Sequence, residues 1–186
     1  MSTSPDIRVC PSGPEWLAQA CGLFRDLSAQ AIQSHGRCVI ALSGGSTPKA
    51  LYEALTSADW KFQCQWKQMV FLFGDERAVS PDHPDSNYGL AQAALFRPLG
   101  IESSQVHRMT GESADLAQAA EEYERTIRNI TNCPAPAIPV LDLVLLGLGE
   151  DGHIASLFPG TPALAERNQL VAVGRSPKGI SARLTL

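Results

Sequence analysis

Short, nearly continuous apolar runs alternate along this chain with longer segments in which apolar residues recur every three or four positions. The three strongest runs cover residues 38–42, 69–73 and 141–146, and each predicts a strand that is buried on both faces. The last run is the most apolar, interrupted only by Asp142, and suits the middle of a parallel sheet. Weaker patterns predict further strands at residues 105–108, 170–173 and 182–186.

The segments between these runs have the spacing of amphipathic helices. Helices are predicted at residues 16–31, 48–55, 88–96 and 116–130. Ser12 and Glu15 have the spacing of a capping box before the first helix, and Gly36 offers a stop after it. Thr47 and Pro48 are expected as the N-cap and the first residue of the second helix.

Strands and helices that alternate in this way predict an α/β domain whose parallel sheet carries helices on both faces. The proline-rich segment 133–139 is too short to mark a domain boundary, so residues 1–186 are expected to form a single domain. A chain of 186 residues, 44% of them hydrophobic, is able to bury the core of such a domain.

Composition narrows the classes of function. Fifteen basic against nineteen acidic residues give a net charge of -4, so no global basic field attracts nucleic acid or an anionic membrane. The five cysteines are scattered and form no Cys-x-x-Cys pair, which argues against a disulfide framework and a zinc site. There is no signal-like N-terminus and no membrane-length apolar run, so a cytoplasmic protein is expected.

Three loops carry the candidate chemistry, because each follows one of the three strongest strands. They cover residues 43–47, 75–77 and 147–153, and loops at the carboxyl ends of neighbouring parallel strands open on one cleft. His153 follows three glycines and two carboxylates in the last loop, where a histidine can take up and return a proton near neutral pH. The alternative role for this histidine is structural, as a helix cap or as a partner of a carbonyl.

The other two loops suit an anionic ligand. Gly44 and Gly45 let backbone N–H groups approach a ligand ahead of a helix N-terminus. Arg77 carries a guanidinium that matches phosphate or carboxylate, and Asp75 is suited to orient a histidine. The structural alternatives are an ordinary tight turn for the first loop and a solvated charge run for the second.

Two nucleotide-binding motifs are excluded. A P-loop is absent, because Lys49 lies inside the predicted helix after Pro48. The glycines of the 147–153 loop match the spacing of the dinucleotide fingerprint. However, the next predicted strand, 170–173, is followed by no acidic residue to hold a ribose.

Together these segments resemble the 6-phosphogluconolactonase family over nearly the whole chain. The resemblance lies in residues 41–48 (Ala-Leu-Ser-Gly-Gly-Ser-Thr-Pro), 74–77 (Gly-Asp-Glu-Arg), 87–89 (Asn-Tyr-Gly) and 142–160, which end in Gly-His-Ile-Ala-Ser-Leu-Phe-Pro-Gly. Glucosamine-6-phosphate deaminases share the fold, the Ser-Gly-Gly loop and the Gly-His pair, but typically continue as Ala-Phe-Asn-Glu-Pro. Residues 156–159, Ser-Leu-Phe-Pro, replace that carboxylate-bearing stretch, so the lactonases are the better match.

The resemblance implies a three-layer α/β/α fold with a mainly parallel Rossmann-like sheet, similar to the glucosamine-6-phosphate deaminase, ribose-5-phosphate isomerase and CoA-transferase fold. It also implies hydrolysis of 6-phosphoglucono-δ-lactone to 6-phosphogluconate, the second step of the oxidative pentose phosphate pathway, without a metal or an organic cofactor. The expected partner is therefore a sugar-phosphate lactone, and the protein is expected to be a monomer or a weak homo-oligomer.

The same resemblance assigns roles to individual residues. His153 is the expected general base, which draws a proton from water. Asp75 or Asp151 is expected to fix the imidazole tautomer, with Asp75 preferred. The residues expected to bind the substrate and its phosphate are Ser43, Gly44, Gly45, Ser46, Thr47, Arg77, Asn87 and Arg183.

One departure from the family concerns the C-terminus. Lactonases continue for some tens of residues beyond the Arg-Leu-Thr-Leu of residues 183–186, adding a strand, a loop and a helix. The chain is therefore expected to be a fragment or a shortened form that lacks this strand and helix. Two other functions stay open: a sugar-phosphate-binding sensor domain without turnover, and an enzyme of the deaminase or isomerase type.

Overall fold

The computed structural model describes residues 5–186. The strands are β1 (Cys38–Leu42), β2 (Met69–Phe73), β3 (Asp75–Arg77), β4 (Leu143–Val144), β5 (Ala172–Arg175) and β6 (Ala182–Thr185). The helices are α1 (Gly13–His35), α2 (Ser46–Leu55), α3 (Asn87–Ala91), α4 (Arg97–Leu99) and α5 (Leu116–Thr131). A π-helical turn, Gln92–Phe96, joins α3 to α4, so the predicted helix at 88–96 is confirmed and runs slightly further.

The first sheet is parallel, with strand order β2-β1-β4. Ile40 of β1 pairs with Phe71 on one side and with Leu143 on the other. Every residue of β1 is buried, as its continuous apolar run predicts. Because the strands are parallel, the loops that follow β1, β2 and β4 leave from the same edge of the sheet.

Side chains that alternate along the strands divide the core between the two faces of this sheet. Ile40 and Phe71 pack with residues of α1, α2 and the α3 region. Val39 and Leu72 point to the other face and pack with residues of α5, among them Tyr123. The predicted three-layer α/β/α fold is therefore confirmed.

The ends of α1 lie where the capping signals predict. The Ser12 hydroxyl accepts a hydrogen bond from the Glu15 N–H, with 3.4 Å between Oγ and N. At the other end, Gly36 adopts a left-handed conformation (φ 85°) and its N–H bonds to the Ile32 carbonyl at 2.8 Å.

The start of α2 differs from its prediction. Gly45, not Thr47, occupies the N-cap position, and its φ of 103° is one that glycine tolerates best. The first main-chain bond runs from the Lys49 N–H to the Gly45 carbonyl, 3.1 Å between N and O. Pro48 fits inside this first turn because the helix requires no hydrogen bond from its nitrogen there.

A second, antiparallel sheet with strand order β3-β6-β5 was not foreseen. Residues 75–77 are predicted as a loop but form β3, because residues near the end of the described chain pair with them. Arg77 lies directly opposite Arg183 in this pairing. Two arginines that are distant in the sequence thus become neighbours.

The prediction that residues 141–146 form a strand in the buried middle of the sheet was wrong. Only Leu143 and Val144 form strand β4, and Val144 and Leu146 are 41% and 54% exposed. β4 lies at the edge of the sheet, since within residues 5–186 it pairs only with β1. The Asp142 carboxylate accepts a hydrogen bond from the Val39 N–H at 2.7 Å, which holds the residue before β4 against β1.

The weaker strand signals have mixed outcomes. Residues 105–108 form a single parallel bridge, between Val106 and Phe71, instead of a strand. β5 starts two residues later than predicted, and β6 ends one residue earlier. In the part of the chain that is described, the helices are each too short or too polar to cross a membrane.

Candidate active site

A cleft of about 580 Å³ opens between the antiparallel sheet and the loop that contains His153. Five of the predicted site residues line it: Asp75, Arg77, Asp151, His153 and Arg183. They come from β3, from β6 and from the loop after β4, so the cleft depends on contacts between distant parts of the chain.

The histidine loop is a tight turn closed by main-chain hydrogen bonds. The Gly149 N–H donates to the His153 carbonyl at 2.8 Å, and the Gly152 N–H donates to the Gly149 carbonyl at 3.0 Å. Gly152 has a φ of 84°, which favours glycine at that position. Gly149 is needed for its small size, because a Cβ there would lie 2.1 Å from the His153 Nδ1.

The imidazole of His153 is contacted by Asp151 at its Nδ1 edge and by Phe158 on one face of the ring. Its Nδ1 lies 2.5 Å from the Asp151 Oδ1. This hydrogen bond lowers the pKa of the Asp151 carboxyl below its ordinary value, so the partner of the histidine stays ionised. Phe158 stacks on the ring with 4.3 Å between the centroids. Within residues 5–186 the Nε2 atom has no hydrogen-bond partner, which leaves it free to exchange a proton.

Asp75, the preferred partner on sequence grounds, makes no hydrogen bond with His153 in the described structure. Its Oδ2 accepts the Ser156 hydroxyl at 2.6 Å, and its Oδ1 accepts the Asn87 side-chain amide at 3.0 Å. The contact with the imidazole belongs to Asp151, because Asp75 is buried and engaged by these two donors. Asp75 therefore serves to join elements around the cleft.

Two arginines supply positive charge to the cleft, and within residues 5–186 neither forms a salt bridge, although the charges of Asp75, Asp85 and Glu76 act on Arg183. The Arg77 Nη1 donates to the Asp85 carbonyl, while its Nε is buried and has no partner in the described part of the chain. The Arg183 Nε donates to the Ile180 carbonyl at 2.9 Å, and only 9% of the residue is exposed. Burial, and next the charge of Arg77, lowers the pKa of Arg183. Neighbouring cations with an unsatisfied donor are chemically suited to an anion.

Lys178 is a cleft residue that sequence reasoning missed. It lies in the turn between β5 and β6, with Ser176, whose hydroxyl donates to the Lys178 carbonyl at 2.7 Å. The available signal, which was not used, was a lysine in the turn between two predicted strands, one of which carries Arg183. Phe158 was missed as well, because an aromatic residue after a loop is more often a core residue.

The glycine-rich loop, residues 43–47, lies beside this cleft but forms none of its walls. Gly44 packs against Asn87, since a Cβ on Gly44 would lie 1.7 Å from the Asn87 Oδ1. The Ser43 N–H and carbonyl both bond to the Tyr52 hydroxyl, at 3.1 and 2.7 Å. Gly45, Ser46 and Thr47 are exposed at the start of α2. Asn87 thus connects the loop to Asp75, and the binding roles of Ser43 to Thr47 and of Asn87 stay predictions.

Glu76 is a third residue that the predicted site omits. It is 2% exposed, and its carboxylate accepts the N–H groups of Asn87 and Tyr88 at 2.7 and 2.8 Å. It also accepts the Arg77 N–H and the Ser86 hydroxyl. Glu76 therefore anchors the start of α3 and, through it, Asn87.

A larger cleft, of about 820 Å³, lies along α3 and is less suited to an anionic substrate. Two of its cations are already paired. Lys49 forms a salt bridge with Glu53, and Arg108 forms a bidentate salt bridge with Glu112. Within residues 5–186, no group of three or more His, Cys, Asp or Glu side chains is arranged to hold a metal ion.

Comparison with known families matches residues 11–186 to the glucosamine-6-phosphate isomerases/6-phosphogluconolactonase family. The chain belongs to this family. It is 40% identical to a 6-phosphogluconolactonase from Nostoc sp. over 168 residues. This alignment covers 90% of this chain and 68% of that protein. It is 45% identical to a 6-phosphogluconolactonase from Synechocystis sp. over 145 residues. This alignment covers 78% of this chain and 59% of that protein.

Solved structures agree with this membership. The structure of 6-phosphogluconolactonase from Trypanosoma brucei superposes with a TM-score of 0.87 at 32% identity, covering 100% of this chain and 77% of that one. The enzyme from Trypanosoma cruzi gives 0.85 at 36% identity, covering 100% and 75%. The chain therefore spans about three quarters of these structures, and 59% to 68% of the two relatives above.

Proposed function

We propose that this chain hydrolyses 6-phosphoglucono-δ-lactone to 6-phosphogluconate, the second step of the oxidative pentose phosphate pathway. The names of its relatives support this activity, and so does the replacement of the deaminase stretch by Ser-Leu-Phe-Pro. The observation that carries the proposal is that His153 shares one cleft with Arg77 and Arg183, and that within residues 5–186 its Nε2 has no hydrogen-bond partner and the arginines form no salt bridge.

The histidine supplies the proton transfers that lactone hydrolysis needs. Asp151 holds Nδ1 as the N–H donor, so Nε2 carries the lone pair that removes a proton from water. The resulting hydroxide adds to the lactone carbonyl and gives a tetrahedral intermediate. When the bond to the ring oxygen breaks, the imidazolium of His153 returns its proton to that oxygen. One water is consumed, and one carboxylic acid and one hydroxyl are formed.

The cationic wall of the cleft selects the phosphate. Arg77 and Arg183 approach the phosphate oxygens with guanidinium donors, and Lys178 adds a third positive charge from the β5–β6 turn. Arg183 is buried and the Arg77 Nε is shielded from solvent, so water screens these groups less than it screens a fully exposed charge. Positive charge in the cleft also favours the oxyanion that develops on the carbonyl oxygen.

The test is the rate at which acid is released from 6-phosphoglucono-δ-lactone, followed at constant pH against the spontaneous reaction. Acid release well above the spontaneous rate is expected, while glucosamine 6-phosphate should release no ammonia. A protein that does not exceed spontaneous hydrolysis, although it binds 6-phosphogluconate, would instead be a binding domain without turnover.

The phosphate assignment has its own comparison. Arg77→Ala should weaken use of the phosphorylated lactone about 10- to 100-fold, since a charge-assisted contact contributes about 1.5–3 kcal/mol. Unphosphorylated gluconolactone should be affected much less. Arg125→Ala removes an exposed arginine on α5 and serves as the matched control. Equal losses on both substrates would mean that Arg77 acts on the carbonyl or on the fold.

We further propose that this chain forms a single domain, and that the enzyme is cytosolic and a monomer or weak homo-oligomer. The five free cysteines support a reducing compartment. Light scattering on the purified chain tests the oligomeric state.

A further inference from the structure

Asp75 joins two separate segments of the chain through one buried carboxylate. Only 6% of Asp75 is exposed, and each of its side-chain oxygens accepts one hydrogen bond. Asn87, at the start of α3, occupies one oxygen, and Ser156, three residues beyond His153, occupies the other. At 2.6 Å, the bond from the Ser156 Oγ is short, as expected when a hydroxyl donates to a carboxylate.

Ser156 is held on every side. It is fully buried, and its N–H donates to the Thr185 hydroxyl of β6 at 3.2 Å. A Cβ on Gly174 of β5 would lie 2.9 Å from the Ser156 carbonyl oxygen, so this strand approaches it closely. Ser156 thus fixes the histidine segment to all three strands of the antiparallel sheet, since Asp75 belongs to β3.

The segment from His153 to Phe158 folds back on itself around Ser156. Ala155 has a φ of 48°, which is unfavourable for a residue with a Cβ and requires support from its surroundings. The Leu157 N–H closes the turn by donating to the Ile154 carbonyl at 2.9 Å. His153 and Phe158 stack across this turn, so the turn around Ser156 connects the two rings.

We propose that Ser156 is a positioning residue: through its hydrogen bond to Asp75 it holds the strained turn that aims His153 into the cleft. Asp75 acts through Ser156 in this arrangement, without touching the imidazole. The inference rests on the proposed lactonase activity for its kinetic consequence, but its structural consequence is independent of that activity.

The kinetic test uses Ser156→Ala. A lost bond to a charged group predicts a fall in kcat of about 10- to 100-fold. The dissociation constant for 6-phosphogluconate should stay within about threefold, because Arg77 and Arg183 lie on strands that the substitution leaves paired. Ser28→Ala is the matched control: Ser28 is also buried, but within residues 5–186 its hydroxyl bonds only to the Arg25 carbonyl of α1. This control should retain wild-type kcat.

The structural test needs no turnover. Amide hydrogen exchange in residues 149–158, followed by mass spectrometry, should accelerate in Ser156→Ala and stay unchanged in Ser28→Ala. If Ser156→Ala fails to fold, Ser156→Cys keeps a similar shape with a weaker donor, and the same faster exchange and lower kcat are expected. If the wild type is inactive but exchange is still faster in Ser156→Ala, the positioning role is supported and the lactonase proposal is refuted. Wild-type exchange and kcat in the Ser156 variants would overturn the positioning role.

Discussion

The ring of Phe158 stacks on the imidazole of His153, with 4.3 Å between the centroids and 29° between the planes. Phe158 is only 6% exposed, so the stack is part of the packed wall of the cleft. Together with Asp151 at Nδ1, it limits rotation of the imidazole and leaves Nε2 as the accessible nitrogen. The orientation of the histidine thus depends on one apolar and one charged neighbour.

Removing the stack should reduce turnover without abolishing it. Phe158→Leu keeps an apolar side chain but loses the aromatic pair, which contributes about 0.5–1.5 kcal/mol. We expect kcat to fall about 2- to 10-fold with little change in KM, whereas Phe158→Tyr should retain most of the activity because it preserves the ring. Steady-state kinetics on both variants checks this. Wild-type kcat in a folded Phe158→Leu protein would show that the stack does not orient the histidine.

Removing the base should have a much larger effect. His153→Asn keeps some hydrogen bonding but has no nitrogen that titrates near neutral pH, and general base catalysis contributes about 10²- to 10⁴-fold. We expect kcat to fall in that range while 6-phosphogluconate still binds, as measured by calorimetry. A variant that keeps more than about a tenth of wild-type turnover would exclude His153 as the base.

The turn before the histidine gives a matched pair of substitutions. Gly149→Ala would bring a Cβ to 2.1 Å from the His153 Nδ1 and 2.9 Å from the Asp151 Oδ1, so the imidazole must move. Gly147→Ala meets nothing within 4 Å and is the control. We expect Gly149→Ala to lose at least about tenfold in kcat, as misplacement of a catalytic group predicts, and Gly147→Ala to stay near wild type. Similar kinetics for the two variants would mean that the loop moves freely to absorb the extra methyl group.

Local patterns were sufficient for β1, β2 and α5, but not for β4. The buried runs at β1 and β2 and the periodicity of α5 depend on neighbours a few residues away, and their predicted bounds agree with the structure to within one residue. The antiparallel sheet could not be found in this way. β3 has only three residues, and its partner β6 is more than a hundred residues away.

The same distinction applies to the site. A glycine-rich turn with a histidine and an aspartate is visible in the sequence, and so are Arg77 and Arg183 as single cations. Which carboxylate reaches the imidazole is not, because Asp75 and Asp151 are chemically alike. The outcome depends on the Ser156 hydroxyl, which occupies Asp75, and on the short path from Asp151 to His153.

Glu76 provides the last prediction, because a buried carboxylate links stability to pH. Burial raises the pKa of Glu76 above its ordinary value of 4.5, although four hydrogen bonds oppose the shift. The folded state therefore holds the proton more tightly than the unfolded state. The contribution of this group to the free energy of unfolding is complete below pH 4.5 and is lost as pH rises through the folded-state pKa.

Glu76→Gln isolates this effect, because glutamine does not titrate and all other groups are shared with the wild type. The amide places two N–H donors among groups that themselves donate, where the protonated carboxyl places one O–H, so we expect the variant to be less stable by about 1–3 kcal/mol at acidic pH. The advantage of the wild type should then shrink as pH rises above 4.5, which urea unfolding at a series of pH values measures. Glu53→Gln removes an exposed carboxylate and should change stability by less than about 0.5 kcal/mol. A wild-type advantage that grows with pH would mean that the hydrogen bonds at the start of α3 outweigh burial, and that Glu76 holds this helix as a carboxylate with a lowered pKa.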